Sequence, residues 1–173
     1  MKKEDIEGLL RDVADFPKPG IVFKDITPLL GHGAAFHALI DLMAEAFAHQ
    51  RISKVVAVEA RGFVFGAALA DRLGAGLVLV RKPGKLPYET IGVSYDLEYG
   101  QDRLEVHVDA FAPTERALIV DDVLATGGTA AAAIALARKA GAEVVGAAFV
   151  IELAFLGGRA KLGETPSWAL FSY

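Results

Sequence analysis

The chain has no cysteine and no asparagine among its 173 residues, only two glutamines, and no long uncharged apolar run. Each absence closes a class of function. Without thiols there are no disulfides, no cysteine nucleophile and no cysteine-based metal or redox centre, which agrees with a reducing compartment. The four histidines, His32, His37, His49 and His107, form no i,i+4 pair and no HExxH pattern, so a resident zinc site is not expected. Apolar stretches such as Gly62 to Ala70 fall far short of the ~20 residues that span a bilayer, and the N-terminus has no apolar signal core. A soluble, unexported, cytoplasmic protein without membrane contact is expected. With 18 basic against 22 acidic residues the net charge is −4, and no Lys/Arg block provides the basic face that nucleic acid requires. A small ligand is the expected partner. The missing asparagine, together with 30 alanines, fits either a hot-growing source or GC-rich codon usage and decides nothing about function.

What is present is a globular composition: 53% hydrophobic and 23% charged residues, with no Pro/Ser-rich tract. A chain this long buries roughly 70% of its unfolded surface, enough for one domain over 1–173. Ile6, Leu9, Leu10 and Val13 recur at helical spacing before Pro17, Pro19 and Gly20 break the pattern. Phe36, Leu39, Ile40, Met43 and Phe47 mark one face of a longer helix. Lys54 to Glu59 reads as a buried strand, Phe63 to Leu73 as a helix ended by Gly74, and Gly76 to Arg81 as the next strand. Lys82 to Tyr95, with two Pro and two Gly, is longer than an ordinary connection and reads as a lid. Tyr95 to Tyr99 and Leu104 to Val108 alternate with period two, which predicts a hairpin through Gly100 to Asp102. Ala117 to Val120 is a strand, Thr129 to Ala140 a helix capped by Gly141, and Val144 to Ile151 a strand. This alternation predicts an α/β fold, a mostly parallel central sheet with helices on both faces and its ligand site beyond the strand C-termini.

The sharpest constellation is Ala117 to Thr129, ALIVDDVLATGGT: a strand, two carboxylates at its end, and a small-residue loop opening a helix. Ala125, Thr126, Gly127, Gly128 and Thr129 can turn backbone N–H groups toward an anion, and the helix start adds about half a positive charge. A phosphate monoester fits there. Asp121 and Asp122, which accept hydrogen bonds when ionised, suit ribose hydroxyls with a divalent cation nearby. An isolated DD or GG would be only a solvated pair or a turn; it is the whole string that carries meaning. No GxxxxGK[ST] and no GxGxxG occurs, which removes the main support for kinase and dehydrogenase readings.

ALIVDDVLATGGT resembles the diphosphoribosyl-binding motif of the type I phosphoribosyltransferases, purine/pyrimidine group. Four further segments stand in the family's order: DFPKPGIVFKDITPLL (Asp15 to Leu30), VEARGFVFG (Val58 to Gly66), RKPGKLPYET (Arg81 to Thr90) and YDLEYG (Tyr95 to Gly100). Together these are similar to the adenine-using members over nearly the whole chain. The resemblance implies the type I fold with a small hood, residues 1–33, that helps bind the purine, and a flexible lid hairpin, residues 82–103. The implied reaction joins adenine to 5-phospho-α-D-ribose 1-diphosphate, giving AMP and diphosphate, with Mg²⁺ carried on the sugar diphosphate and no metal ligand from the protein. A homodimer is implied too, with the surface around Phe63 to Gly66 contributing to its interface.

Residue by residue, the resemblance gives Ala60, Arg61 and Gly62 to the leaving diphosphate, with Arg61 as anion clamp and a cis peptide between Glu59 and Ala60. Some relatives carry Asp-Ser at 59 and 60, a departure that affects side-chain contacts rather than backbone ones. Arg81, Lys82 and Lys85 reach the substrate anions when the lid folds over, excluding water from a cationic transition state. Val22, Phe23 and Lys24 form the adenine pocket, and Glu98 is the catalytic acid/base with Tyr99 beside it on the lid. Members that use 6-oxopurines place an acidic residue where this chain has Ala125, which weakens a hypoxanthine, guanine or xanthine substrate. A regulator that senses the sugar diphosphate is the other reading, but no segment looks spare for binding DNA.

Overall fold

The computed structural model describes residues 1–97 and 100–173 and divides into two compact units, 1–42 and 43–173. The first contains α1 (Lys3–Glu7), β1 (Arg11–Ala14), β2 (Val22–Asp25), α2 (Thr27–Leu30) and most of α3 (Gly33–Phe47). The helical spacing that runs to Val13 is only partly realised. The helix ends at Gly8, and Arg11 to Ala14 instead pair antiparallel with Val22 to Asp25. A strand partner across the intervening turn outweighs the local period, because alternate residues of β1 gain ladder partners that a frayed helix end would lack. Asp25 closes a turn at the entry to α2, accepting from the Thr27 N–H and hydroxyl at 2.9 Å each, bonds that hold its carboxyl below the usual range.

The second unit continues with β3 (Lys54–Val58), α4 (Gly62–Leu73), β4 (Gly76–Val80), β5 (Thr90–Asp96), β6 (Gln101–His107), β7 (Arg116–Leu124), α5 (Gly128–Lys139) and β8 (Glu143–Glu152). Two 3-10 turns, Ala154–Leu156 and Gly158–Leu162, precede β9 (Ser167–Ser172). Its sheet has the order β4-β3-β7-β8-β9, parallel throughout, as the alternation of elements predicts. Strands covered on both faces must be apolar along their length, and Val55 to Val58 and Ala147 to Ile151 are buried without interruption. On α5 the buried stripe is mostly alanine, Ala130, Ala133 and Ala137 with Ile134 and Leu136, so that helix lies close to the sheet. Helix α4 approaches closely as well: a β-carbon on Gly66 would stand 2.5 Å from that of Ala57 on β3. Gly74 ends it in the left-handed conformation, φ 65°.

The expected long loop from Lys82 to Tyr95 is half strand. Residues 90–96 pair antiparallel with 101–107, Tyr95 opposite Asp102, so the hairpin begins earlier and in a different register from the one predicted. Its inward side chains explain this: Leu104 and Val106 are fully buried, and Ile91, Val93 and Tyr95 pack on the same core. The two prolines and Gly84 of 83–87 obscure a period-two pattern that starts only at Thr90. The Lys139 ammonium donates to the Gly92 carbonyl at 3.0 Å, and Arg81 and Glu105 exchange backbone bonds of 3.0 and 2.8 Å.

The Gly66 contact sets a stability test. Gly66→Ala must push α4 away from β3 and is expected to cost about 1–3 kcal/mol, whereas Gly33→Ala, with nothing within 4 Å, is expected to change stability by no more than about 0.5 kcal/mol. Urea unfolding midpoints measure both; equal midpoints would show that α4 has room to spare.

Candidate active site at the C-terminal edge of the sheet

The functional residues of the second unit gather where β3, β4, β7 and β8 end. Strand β7 outlasts its neighbour β3: the two pair from Lys54–Ala117 to Ala57–Val120, while pairing with β8 continues to Leu124. Asp121 and Asp122 therefore lie within a strand, not just past its end as the sequence suggests, and on its β3 side they face the turn that follows Val58. Successive strand residues point to opposite faces. That lets both carboxylates occupy one short stretch with different partners. Asp122 is buried, 4% exposed, and accepts from the Arg61 Nε. Asp121 accepts from the Asp122 N–H at 2.9 Å and lies beside Gly62, where a β-carbon would meet its Oδ1 at 2.9 Å and the Val120 carbonyl at 2.9 Å.

Electrostatics follow from this packing. Desolvation and the neighbouring Asp122 charge push the Asp121 carboxyl well above the usual range, against a smaller opposing pull from Arg61. The hydrogen bond that Arg61 donates to Asp122 holds the guanidinium above its ordinary value, so it remains cationic. The peptide between Glu59 and Ala60 is cis, as the resemblance implies. Glu59 receives the Lys82 N–H, and its Oε1 stands 3.6 Å from the Arg81 Nε, while the Arg81 guanidinium lies 5.8 Å from the Phe63 ring centre. Ala60 is exposed at the turn, Gly62 is buried and Lys85 is exposed.

After β7 the chain turns through Ala125 and Thr126 to Gly127, whose φ of 83° needs glycine, and then into α5 at Gly128. Thr126 is exposed, while Ala125, Gly128 and Thr129 are half-buried around the helix start. The Thr129 hydroxyl lies 3.3 Å from that of Tyr95, which donates to Asp102 at 3.2 Å, and Asp102 also takes the Lys82 ammonium. A polar chain thus ties Lys82, the hairpin and the start of α5 together.

The structure therefore brings together Arg61, Gly62, Asp121 and Asp122, with Lys82 reaching the 125–129 loop through Asp102 and Tyr95. In the first unit, Phe23 and Lys24 are half-buried and Val22 is exposed on β2; the Phe23 ring meets Phe16 edge-on at 5.2 Å, and the Lys24 ammonium pairs with Asp12 at 2.6 Å. Glu98 and Tyr99 lie outside the described residues. Sequence reasoning missed several contributors. Tyr95 and Asp102 bridge to Thr129, and Phe155 and Leu156 are exposed apolar residues, 76% and 42%, just after β8. The Gly157-Gly158 doublet was legible as a second strand-end glycine pair. Among the described residues no three His, Asp or Glu side chains converge as a metal cage.

A parallel sheet that ends in a glycine cup, an acid pair and a guanidinium turn is chemically equipped to hold a phosphorylated sugar. The chain belongs to the phosphoribosyltransferase family: the phosphoribosyl transferase domain profile matches residues 26–164. Within that family its similarity is to the adenine phosphoribosyltransferases. The enzyme of Chloroflexus aurantiacus is 54% identical over 173 residues, all of both chains. The crystal structure of the Thermoanaerobacter pseudethanolicus enzyme is 48% identical, with a TM-score of 0.96 over 99% of this chain and 100% of that one. That of the Saccharomyces cerevisiae enzyme, complexed with an imino-altritol bisphosphate and adenine, is 41% identical with a TM-score of 0.92 over 97% of each chain.

The raised Asp121 pKa has a signed consequence. A carboxyl whose folded pKa exceeds its unfolded value stabilises the fold when protonated, and that stabilisation is lost as pH rises through the folded value. Asp121→Asn keeps an acceptor for the Asp122 N–H and carries no charge to desolvate. The melting temperature of Asp121→Asn is expected to exceed that of the wild type at neutral pH, with the gap closing as pH falls toward the unfolded pKa of a carboxylate. A gap that widens on acidification would show that Asp121 is stabilised as an anion.

Proposed function

We infer that this protein is a purine-salvage enzyme that transfers a phosphoribosyl group to adenine, producing AMP and diphosphate from adenine and 5-phospho-α-D-ribose 1-diphosphate. The observation that carries the reading is the acid pair on β7 running directly into the Gly127 turn and α5, in a chain 54% identical over its full length to an adenine phosphoribosyltransferase. The C1′–N9 bond forms as the C1′–O bond to diphosphate breaks. Diphosphate takes the electron pair, and the purine N9 proton is lost to a base.

The residues divide this work by chemistry. The amides and hydroxyls of Ala125 to Thr129 hold the 5-phosphate at the start of α5, and Asp121 and Asp122 accept from the ribose hydroxyls. The turn Ala60-Arg61-Gly62 faces the departing diphosphate, with Arg61 supplying charge-assisted bonds. Arg81, Lys82 and Lys85 add positive charge from the segment before the β5–β6 hairpin, and that segment works as a lid that excludes water from the oxocarbenium-like centre. Val22, Phe23 and Lys24 receive adenine, the ring of Phe23 by stacking and the neighbouring backbone by hydrogen bonds. Glu98 exchanges the purine proton, with Tyr99 beside it. Mg²⁺ enters as part of the substrate, bound to the sugar diphosphate; the carboxylate oxygens of the acid pair are hard donors that suit its bound waters.

The enzyme works as a homodimer in the cytoplasm. Exposed apolar side chains support the first point: Val64 on α4 and Leu77 and Leu79 on the edge strand β4 are 42%, 40% and 38% exposed. The absence of cysteine and the multiply charged substrate suit the second. Among the described residues, no helix is long and apolar enough to cross a membrane.

Incubating the pure protein with the sugar diphosphate, Mg²⁺ and either adenine, hypoxanthine, guanine or xanthine is expected to give AMP from adenine and no other nucleotide. A 6-oxopurine nucleotide would reassign the base, and the absence of any nucleotide would favour a sensor. Glu98→Gln is expected to lower kcat by ~10²-fold or more while leaving sugar-diphosphate binding within about twofold. Unchanged turnover would remove Glu98 from the proton transfer.

A further inference from the structure

Against the loop of residues 125–129 stands a second backbone turn, at Gly157 and Gly158. A β-carbon on Gly158 would lie 2.1 Å from the Ala125 carbonyl oxygen and 2.8 Å from the Gly127 nitrogen, and one on Gly127 would lie 2.2 Å from the Gly158 carbonyl oxygen. Contacts this short mean that the two glycine turns are packed backbone on backbone, with no space for a side chain on either. Gly158 is buried although its neighbours Gly157 and Arg159 are exposed.

Its position is fixed from both ends of the sheet edge. The guanidinium of Arg159 grips the buried Glu152 at the end of β8, with Nε donating at 2.9 Å and Nη2 pairing to the other oxygen. Its Nη1 donates to the Ser167 carbonyl at 2.8 Å and the Ser167 hydroxyl at 2.7 Å at the start of β9. These bonds hold Glu152 below and Arg159 above their ordinary pKa values, so the pair stays ionised. The preceding strand is anchored too, with the Leu153 N–H donating to the Leu124 carbonyl at 2.9 Å, one residue before the loop.

We propose that Gly158, held by the Arg159 clamp on Glu152 and Ser167, is a positioning residue that sets the shape of the 125–129 loop and thereby its affinity for the sugar 5-phosphate. The inference rests on the reading of that loop as the 5-phosphate site. A cup made of amides binds an anion only while those amides converge, and a loop of small residues has little of its own to keep them so. The Gly158 turn provides the missing rigid wall. Adding one methyl at 158 must displace Ala125 and Gly127, which moves the amides without changing the chemical identity of any group that meets the ligand.

The test compares two ligands that the reading places in different parts of the site, ribose 5-phosphate and inorganic diphosphate with Mg²⁺, by calorimetric titration of the full-length protein. Gly158→Ala is expected to weaken ribose 5-phosphate at least tenfold and to leave diphosphate within twofold; in turnover it raises KM for the sugar diphosphate more than it lowers kcat. Arg159→Ala, which adds no atoms and loosens the clamp, is expected to weaken ribose 5-phosphate severalfold with the same selectivity, and it decides the matter if Gly158→Ala does not fold. Arg159→Lys, which retains charge but not the forked geometry, recovers only part of the loss. Variants that bind ribose 5-phosphate like the wild type, or that lose both ligands equally, overturn the brace alone. A wild-type protein that binds diphosphate but not ribose 5-phosphate overturns the loop reading and the brace with it.

Discussion

Two carboxylates on successive residues of a buried strand repel each other and resist leaving water, and the C-terminal edge of this sheet is organised around that conflict. The alternating directions of strand side chains separate Asp121 from Asp122, and the Arg61 guanidinium neutralises the more buried of the two. Asp121 has less to offset its charge, the Asp122 N–H and a weaker pull from Arg61, and burial pushes its carboxyl well above the usual range. A ligand that donates hydroxyl hydrogen bonds would offset part of that cost. The same residues that cost the free protein stability are thus those with the most to gain from a polyhydroxylated ligand.

Glycine distribution is the second constraint. Gly62 and Gly66 sit one helical turn apart on α4, and both allow that helix to press against strands, one on β7 at the acids and the other on β3 at Ala57. The first contact brings Arg61 into reach of Asp122; the second fixes the helix that carries it. A packing feature and a chemical feature therefore share one element, and the placement of the charged turn follows from the placement of the apolar face.

Much of this was legible from residues alone because the parallel strands are nearly unbroken apolar runs and α4 and α5 carry their own start and stop signals. Strand β3, Gly74 as a cap, and the glycine loop before α5 lie within a residue or two of where the pattern puts them. The acid pair and its loop were also readable, since their order along the chain is their order in space. What escaped was non-local. The β1 strand depends on a partner after an intervening loop, the β5–β6 register depends on burial against α5, and the contact between Gly127 and Gly158 joins segments separated by an entire helix and strand. No local spacing records such a meeting; at most, a glycine doublet just past β8 hints that a backbone is being approached.

That last contact also limits how the protein can change over evolutionary time. In most packed interfaces an enlarged residue can be accommodated by shrinking its neighbour, so paired substitutions drift together. Here each partner is already the smallest amino acid, and neither has anything left to give up. The two turns form a dead end for substitution, where variation is open only to changes that reshape the main chain itself.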